Sequence, residues 1–203
     1  MRGLFRTGRI SFAQDFFLSF AKSEEGLSVA QLYAQQILPS YASLERLQAR
    51  SLESRDVHKL AKVYFTYSGA YEKLARILVV LNRIRKSEPV NYEQMKEKKS
   101  LAQVQREIQR EPSLRVLLRV FNRHTRNSIA HTSYSIHVSA KRVTFRDRTK
   151  VTTMTWNHFR EETIRLSVLV FAILVTGFLH YLLRLLIFLQ KVIFPSLRKK
   201  SRQ

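Results

Sequence analysis

Apolar residues recur through the middle of the chain at alternating steps of three and four: Val57, Leu60, Tyr64, Tyr67, Tyr71, Leu74, Leu78 and Leu81. Such spacing lines one stripe of a helix, so a long helix is expected over Asp56 to Arg85, with a coiled-coil-like seam for bundle packing. The tyrosines of the stripe also suit base stacking, but their spacing favours a place in the core. Helical spacing returns from Leu101 to Thr125 through Val104, Ile108, Leu114, Leu117, Leu118 and Phe121, with a break or kink expected at Pro112. Upstream, Phe12, Phe16, Phe17 and Phe20 predict a short amphipathic helix over Ser11 to Lys22. Ser28 is placed to cap a helix that Pro39 stops, with a further helix from about Ser40. Pro89 and the charged run from Glu93 to Lys99 read as a loop or a solvated helix start.

After His131 the period changes to two. Tyr134, Ile136 and Val138 alternate with Ser and His, Ser139-Ala140-Lys141 turns, and Val143 and Phe145 alternate with Arg142, Thr144 and Arg146. This predicts a β-hairpin at about 133–148, after which Thr155 can cap a helix from Trp156 onward. From Leu166 to Leu183 there is no Lys, Arg, Asp or Glu, and apolar residues continue past Arg184 to Phe194. The favoured reading is a central bundle helix, because so small a domain needs it for its core; the alternative is a membrane anchor. Basic residues flank both ends of this stretch, so it carries no orientation signal. The expected organisation is an N-terminal helical extension over 1–50, a bundle over 51–195 and a basic tail over 196–203.

Composition narrows the class. The 203 residues are 45% hydrophobic with only 5 Gly and 4 Pro, enough for one cored domain and too few breakers for many short strands, so the fold is expected to be mainly α. The absence of cysteine excludes disulfides and thiolate metal sites and suits a reducing compartment; the first residues also lack a secretory signal, and a cytoplasmic protein is expected. Lys and Arg number 36 against 15 Asp and Glu, a net charge of +21. Such a charge predicts attraction to a polyanion, nucleic acid first and an anionic membrane surface second.

Candidate chemistry sits where the helical period gives way to the strand period, at Arg126-Asn127-Ser128-Ile129-Ala130-His131. A histidine can take and give a proton near neutral pH, and an arginine can hold phosphoryl oxygens as negative charge builds. Together they suffice for attack by an RNA 2′-hydroxyl on its own phosphate, without a metal or cofactor. Five steps of roughly 100° leave the two side chains about 140° apart on a regular helix. Either the helix ends near Ala130 and the chain turns, or a second copy of the motif completes the site. Asn127, one helical turn before His131, is the neighbour placed to orient the imidazole or hold phosphate. A second R-x-x-x-x-H match, Arg119 to His124, is set aside because Val120 and Phe121 follow its arginine. Nothing resembles a Walker loop, a zinc motif or a paired-carboxylate metal site.

The stretch from about Leu114 to Arg148, with RNSIAHTSYSIHVSAKRVTFRDR at its heart and an apolar helix after it, resembles the signature region of the HEPN superfamily, small helical domains that include many metal-independent ribonucleases of toxin, antiphage and RNA-processing systems. Arg126, Asn127, Ala130 and His131 match the family pattern position by position. The resemblance implies a HEPN-like helical bundle, Arg126 and His131 as the catalytic pair, Asn127 in support, and a cleft shared by a homodimer. Toxin members often carry H-x-Y, a tyrosine that an antitoxin modifies; here Tyr134 stands one residue later, as H-x-x-Y, so it enters only as a supporting residue and an antitoxin or regulatory partner only as an expectation. Arg123 and the hairpin cations Lys141, Arg142, Arg146 and Arg148 are the candidates for RNA contact. The expected function is a metal-independent endoribonuclease; the alternatives are a catalytically silent module that binds nucleic acid or protein, and a membrane-associated effector.

Overall fold

The computed structural model describes residues 33–86 and 101–176, with 31 and 88. The expected helix over Ser11 to Lys22, the charged run at 93–99, the end of the last apolar stretch and the basic tail lie outside them. The described chain is mainly helical with one small antiparallel sheet. Helices α1 (Leu38–Gln48), α2 (Ser54–Arg85) and α3 (Leu101–Arg110) lead through a 3₁₀ segment (Pro112–Arg119) to the short α4 (Arg123–Ala130). Strands β1 (Tyr134–His137), β2 (Arg142–Asp147) and β3 (Lys150–Thr155) follow, then helix α5, described over 156–176.

The seam of α2 is the centre of the core. Val57, Leu60, Tyr64, Tyr67 and Tyr71 are fully buried and Leu74 nearly so, which settles the tyrosines as core residues. Phe159 joins α5 to this core and to the sheet: its ring centroid lies 5.7 Å from Tyr64 and 5.0 Å from Phe145. Tyr71 stacks on Phe121 at 4.4 Å, and its hydroxyl donates to the Leu117 carbonyl at 3.0 Å. Tyr64 does the same one step along, donating to the Asn122 carbonyl at 3.1 Å and accepting from the Asn122 N–H at 3.2 Å. The tyrosines thus fill the core with their rings and tie down, with their hydroxyls, the segment that enters α4.

Four expectations are corrected. Pro39 does not stop a helix: a π-helical turn at Tyr33–Ile37 runs straight into α1, where Pro39 occupies the first turn. Proline offers no N–H for an α-helical bond back to Gln35, and the turn before it is wound in the wider π form. The segment from Leu101 breaks at Pro112, as expected, and a second time where no break was expected. Glu111 is extended, as the residue before a proline is driven to be, and the chain breaks again at Asn122. The hairpin is the first part of a three-stranded sheet in the order β1-β2-β3. Finally, α5 is not covered on all sides by its own chain. Leu166 and Val170 are fully buried, whereas Val168 and Val175 are more than half or half exposed among the described residues. Among the described residues no helix is long and apolar enough to cross a membrane. The expected cap of this helix is present, with Thr155 Oγ1 accepting from the His158 N–H at 3.2 Å.

Candidate functional site

Helix α4 is short because both of its ends are closed. At the front, Asn122 Oδ1 accepts from the His124 and Thr125 N–H groups at 3.1 and 3.3 Å, an N-cap of a kind that contributes about 1 kcal/mol. At the back, the Thr132 N–H donates to the Ile129 carbonyl at 3.0 Å and the Ser133 N–H to the Ser128 carbonyl at 2.7 Å. These paired bonds form a Schellman motif, with Thr132 in the left-handed position at φ 52°. Glycine is favoured there, and a β-branched residue in that region is strained. The chain therefore turns directly after His131, the first of the two arrangements the spacing allowed. His131 is exposed at the helix end, and its imidazole has no hydrogen-bond partner among the described residues.

Arg126 points elsewhere. Its Nε lies 2.8 Å from Glu72 Oε1 on α2, its Cζ lies 5.6 Å from the centroid of the Phe65 ring, and Nη1 donates to Asn127 Oδ1 at 3.3 Å. The guanidinium side chain keeps 28% of its surface exposed, against 14% for Glu72. Asn127 does not orient His131. Its Nδ2 donates to Asp147 Oδ2 at 3.0 Å, so it bridges Arg126 to the end of β2. The same carboxylate oxygen lies 3.9 Å from Nδ1 of His124, whose buried ring makes no hydrogen bond. That burial separates the set-aside His124 from exposed Arg119.

Tyr134 faces α2, where its hydroxyl and His58 Nδ1 are 3.0 Å apart. Burial pushes its pKa above the ordinary phenol value. It has no bond to Arg126 or His131. Arg123, Lys141, Arg142, Arg146 and Arg148 are all exposed: Arg123 in the first turn of α4, Lys141 and Arg142 at one end of the hairpin, Arg146 and Arg148 at the other. The structure thus gathers Arg126, Asn127, Glu72 and Asp147 into one polar cluster and leaves His131 free at its margin. No hydrogen bond or ion pair joins Arg126 to His131 within the chain.

Glu72 and Asp147 are the members of this cluster that sequence reasoning missed. Each had a signal. Glu72 is the lone acid of α2 after Asp56, and Asp147 is the lone acid from Ser133 to Thr155. An isolated carboxylate in so basic a stretch has cations to choose among, and its place beside the motif comes from tertiary packing alone.

The two apolar stripes read from the sequence are taken up within the chain. The α2 seam is buried in the chain's own core, as are Val104, Ile108, Leu117 and Phe121 of the segment leading to α4. The large apolar side chain left exposed beside Arg126 is Phe65, and the neighbouring Gly69 has open space where a side chain would project. Among the described residues no cluster of His, Asp and Glu could hold a metal ion. No protein-family model, curated protein or solved structure matches the chain.

Proposed function

We propose that the chain is a metal-independent endoribonuclease of HEPN type, working in a toxin or antiphage setting. The observation that carries this reading is the free, exposed imidazole of His131 at the closed end of the helix that also bears Arg126. In the proposed reaction His131 takes the proton of the RNA 2′-hydroxyl. The oxygen attacks the adjacent 3′-phosphorus, the bond to the 5′-oxygen breaks as that oxygen takes a proton from water, and a 2′,3′-cyclic phosphate remains. Arg126 holds the phosphoryl oxygens as charge develops, and Asn127 steadies its guanidinium. Purified chain is expected to cut RNA in excess EDTA, yielding cyclic or hydrolysed 3′-phosphate ends, and to leave DNA of the same sequence whole. Cleavage that vanishes with EDTA and returns with a divalent ion would sink this chemistry.

The reading includes a twofold pair of chains, because Arg126 and His131 do not meet within one, and closed twofold dimers are the commonest homo-oligomers. With the seam consumed by the core, the open face at Phe65 and Gly69 beside Arg126 is where two motifs can approach. Parent chain co-refolded with increasing His131→Ala chain is expected to lose activity per parent chain as mixed dimers form. A flat titration, with mixed dimers confirmed by mass, removes the shared site.

A catalytically silent nucleic-acid-binding or protein-binding module is the second reading, favoured by the 2.8 Å contact through which Glu72 offsets the charge of Arg126. The EDTA assay separates the two.

A further inference from the structure

In the register Tyr134↔Phe145 and Phe145↔Thr152, alternate residues of the sheet turn Ile136, Val143, Phe145 and Met154 toward the core. The opposite face is mostly polar, with Val151 exposed beside Arg146 and Thr144 buried at its centre. Across its middle runs a hydrogen-bonded ladder. Ser135 Oγ lies 3.3 Å from His137 Nε2, which lies 3.1 Å from Thr144 Oγ1, itself 2.9 Å from Thr153 Oγ1. A hydroxyl has one proton and two lone pairs, so the exposed Ser135 and Thr153 keep capacity for a ligand.

Arg142 and Arg146 flank the ladder, two residues either side of Thr144 on the central strand, and so share its face. Lys141, Arg148 and Lys150 stand at the two ends of the strand pair, Lys141 and Arg148 at φ 47° and 56° in turns where glycine is favoured. None of these five exposed cations has a carboxylate partner among the described residues, whereas Arg50, Arg83, Lys86 and Arg126 each have one. The acid nearest in sequence, Asp147, is turned to the other face and held by Asn127. Such a concentration of unpaired positive charge attracts a polyanion. Tyr134 and Phe145 pack against each other on the inner side, so the outer face carries no phenylalanine, tyrosine or tryptophan to stack on a base. The Arg146 N–H donates to the Ser133 carbonyl at 2.9 Å, so one end of this face abuts the loop that carries His131.

We infer that the outer face of the sheet is a binding platform for the RNA sugar–phosphate backbone, with Arg142 and Arg146 on phosphates and the exposed Ser135, His137 and Thr153, linked through buried Thr144, on 2′-hydroxyls. It deepens the nuclease reading, on which it rests for what happens where the track ends at His131. It reads backbone and not sequence, because phosphate and sugar contacts position a strand without naming its bases.

The test measures anisotropy of a labelled 20-nucleotide oligouridylate on the full chain, carrying His131→Ala so that the probe survives, from 50 to 200 mM KCl. One variant adds Arg142→Gln and Arg146→Gln; its control removes the same charge from the exposed Arg106 and Arg110 on α3. The sheet variant is expected to bind on the order of tenfold more weakly, and its log–log salt slope to be shallower by about 1.4, for two lost single-strand phosphate contacts. The control should keep the parental slope. His137→Ala with Thr144→Val should erase a preference for oligouridylate over oligodeoxythymidylate. Equal losses in the two charge variants, or an unchanged slope in the sheet variant, overturn the platform. So does a sheet variant that loses only its adsorption to phosphatidylserine vesicles. Cleavage separates this proposal from the nuclease reading. If the chain with His131 intact cuts nothing while the sheet variant still loses RNA binding, the nuclease reading falls and the platform stands. If it cuts a uridine dinucleotide and long RNA alike with the sheet cations removed and binding unchanged, the platform falls and the nuclease stands.

Discussion

His131→Ala is expected to reduce RNA cleavage by about 100-fold or more, and Arg126→Ala by a comparable factor, from the loss of a proton-transferring group and of a charge held against the phosphoryl oxygens. His131 is exposed and its ring bonds to nothing among the described residues, so its removal should leave folding untouched. Arg126 differs. Its removal leaves Glu72 as a mostly buried carboxylate beside Phe65 without its cation, so stability falls as well, and activity must be compared at equal folded fraction. Glu72→Gln alongside Arg126→Ala removes that complication and should not restore cleavage. Arg119→Ala should keep nearly full activity. His124→Ala opens a buried site beside Asp147 and should lower stability more than it lowers the rate per folded chain. A folded His131→Ala chain that cuts RNA as the parent does removes the assignment of the site.

The parts of this arrangement that were legible from the sequence are those written in local period. The steps of three and four from Val57 to Leu74 describe a helix whose stripe is buried, and the alternation from Tyr134 to Phe145 describes a hairpin, because both patterns record which side of one element meets the core. Strand β3 has no such record: its inward Thr152 and Met154 stand among other threonines, so polarity does not alternate although β-branching is high. The break before α4 is hidden for the opposite reason, since Leu117, Leu118 and Phe121 keep helical spacing up to the residue that caps the next helix. At the far end, Thr132 takes a backbone conformation usually signalled by glycine, so only the change of period, and no turn residue, marked the turn that frees His131. The partners of Arg126 and Asn127 lie tens of positions away on α2 and β2. Their choice depends on where α2 crosses α4, which no period encodes.

Tyr64→Ala is expected to cost about 3–5 kcal/mol, the range for emptying a large aromatic from a closed core, and to unfold much of the chain at modest urea concentration. Tyr64 has no exposed surface, sits between α2 and Phe159, and burial pushes its phenol well above the ordinary pKa. The hydroxyl also has a separate part. It donates to the Asn122 carbonyl and accepts from the Asn122 N–H, and Asn122 in turn caps α4, so one phenol oxygen fixes the point from which the motif helix starts. Tyr64→Phe keeps the ring and removes that oxygen. Its expected cost is about 1–3 kcal/mol, because two backbone groups lose their partner in a partly closed site. The loss should concentrate in α4: amide exchange at Ile129, Ala130 and His131 is expected to quicken in Tyr64→Phe, while amides in the middle of α2 slow or quicken only with global stability. Urea midpoints and site-resolved exchange measure both. If Tyr64→Phe matches the parent in midpoint and in α4 exchange, the hydroxyl does not hold the motif helix, and the position of Arg126 and His131 is set by the Glu72 and Asp147 contacts alone.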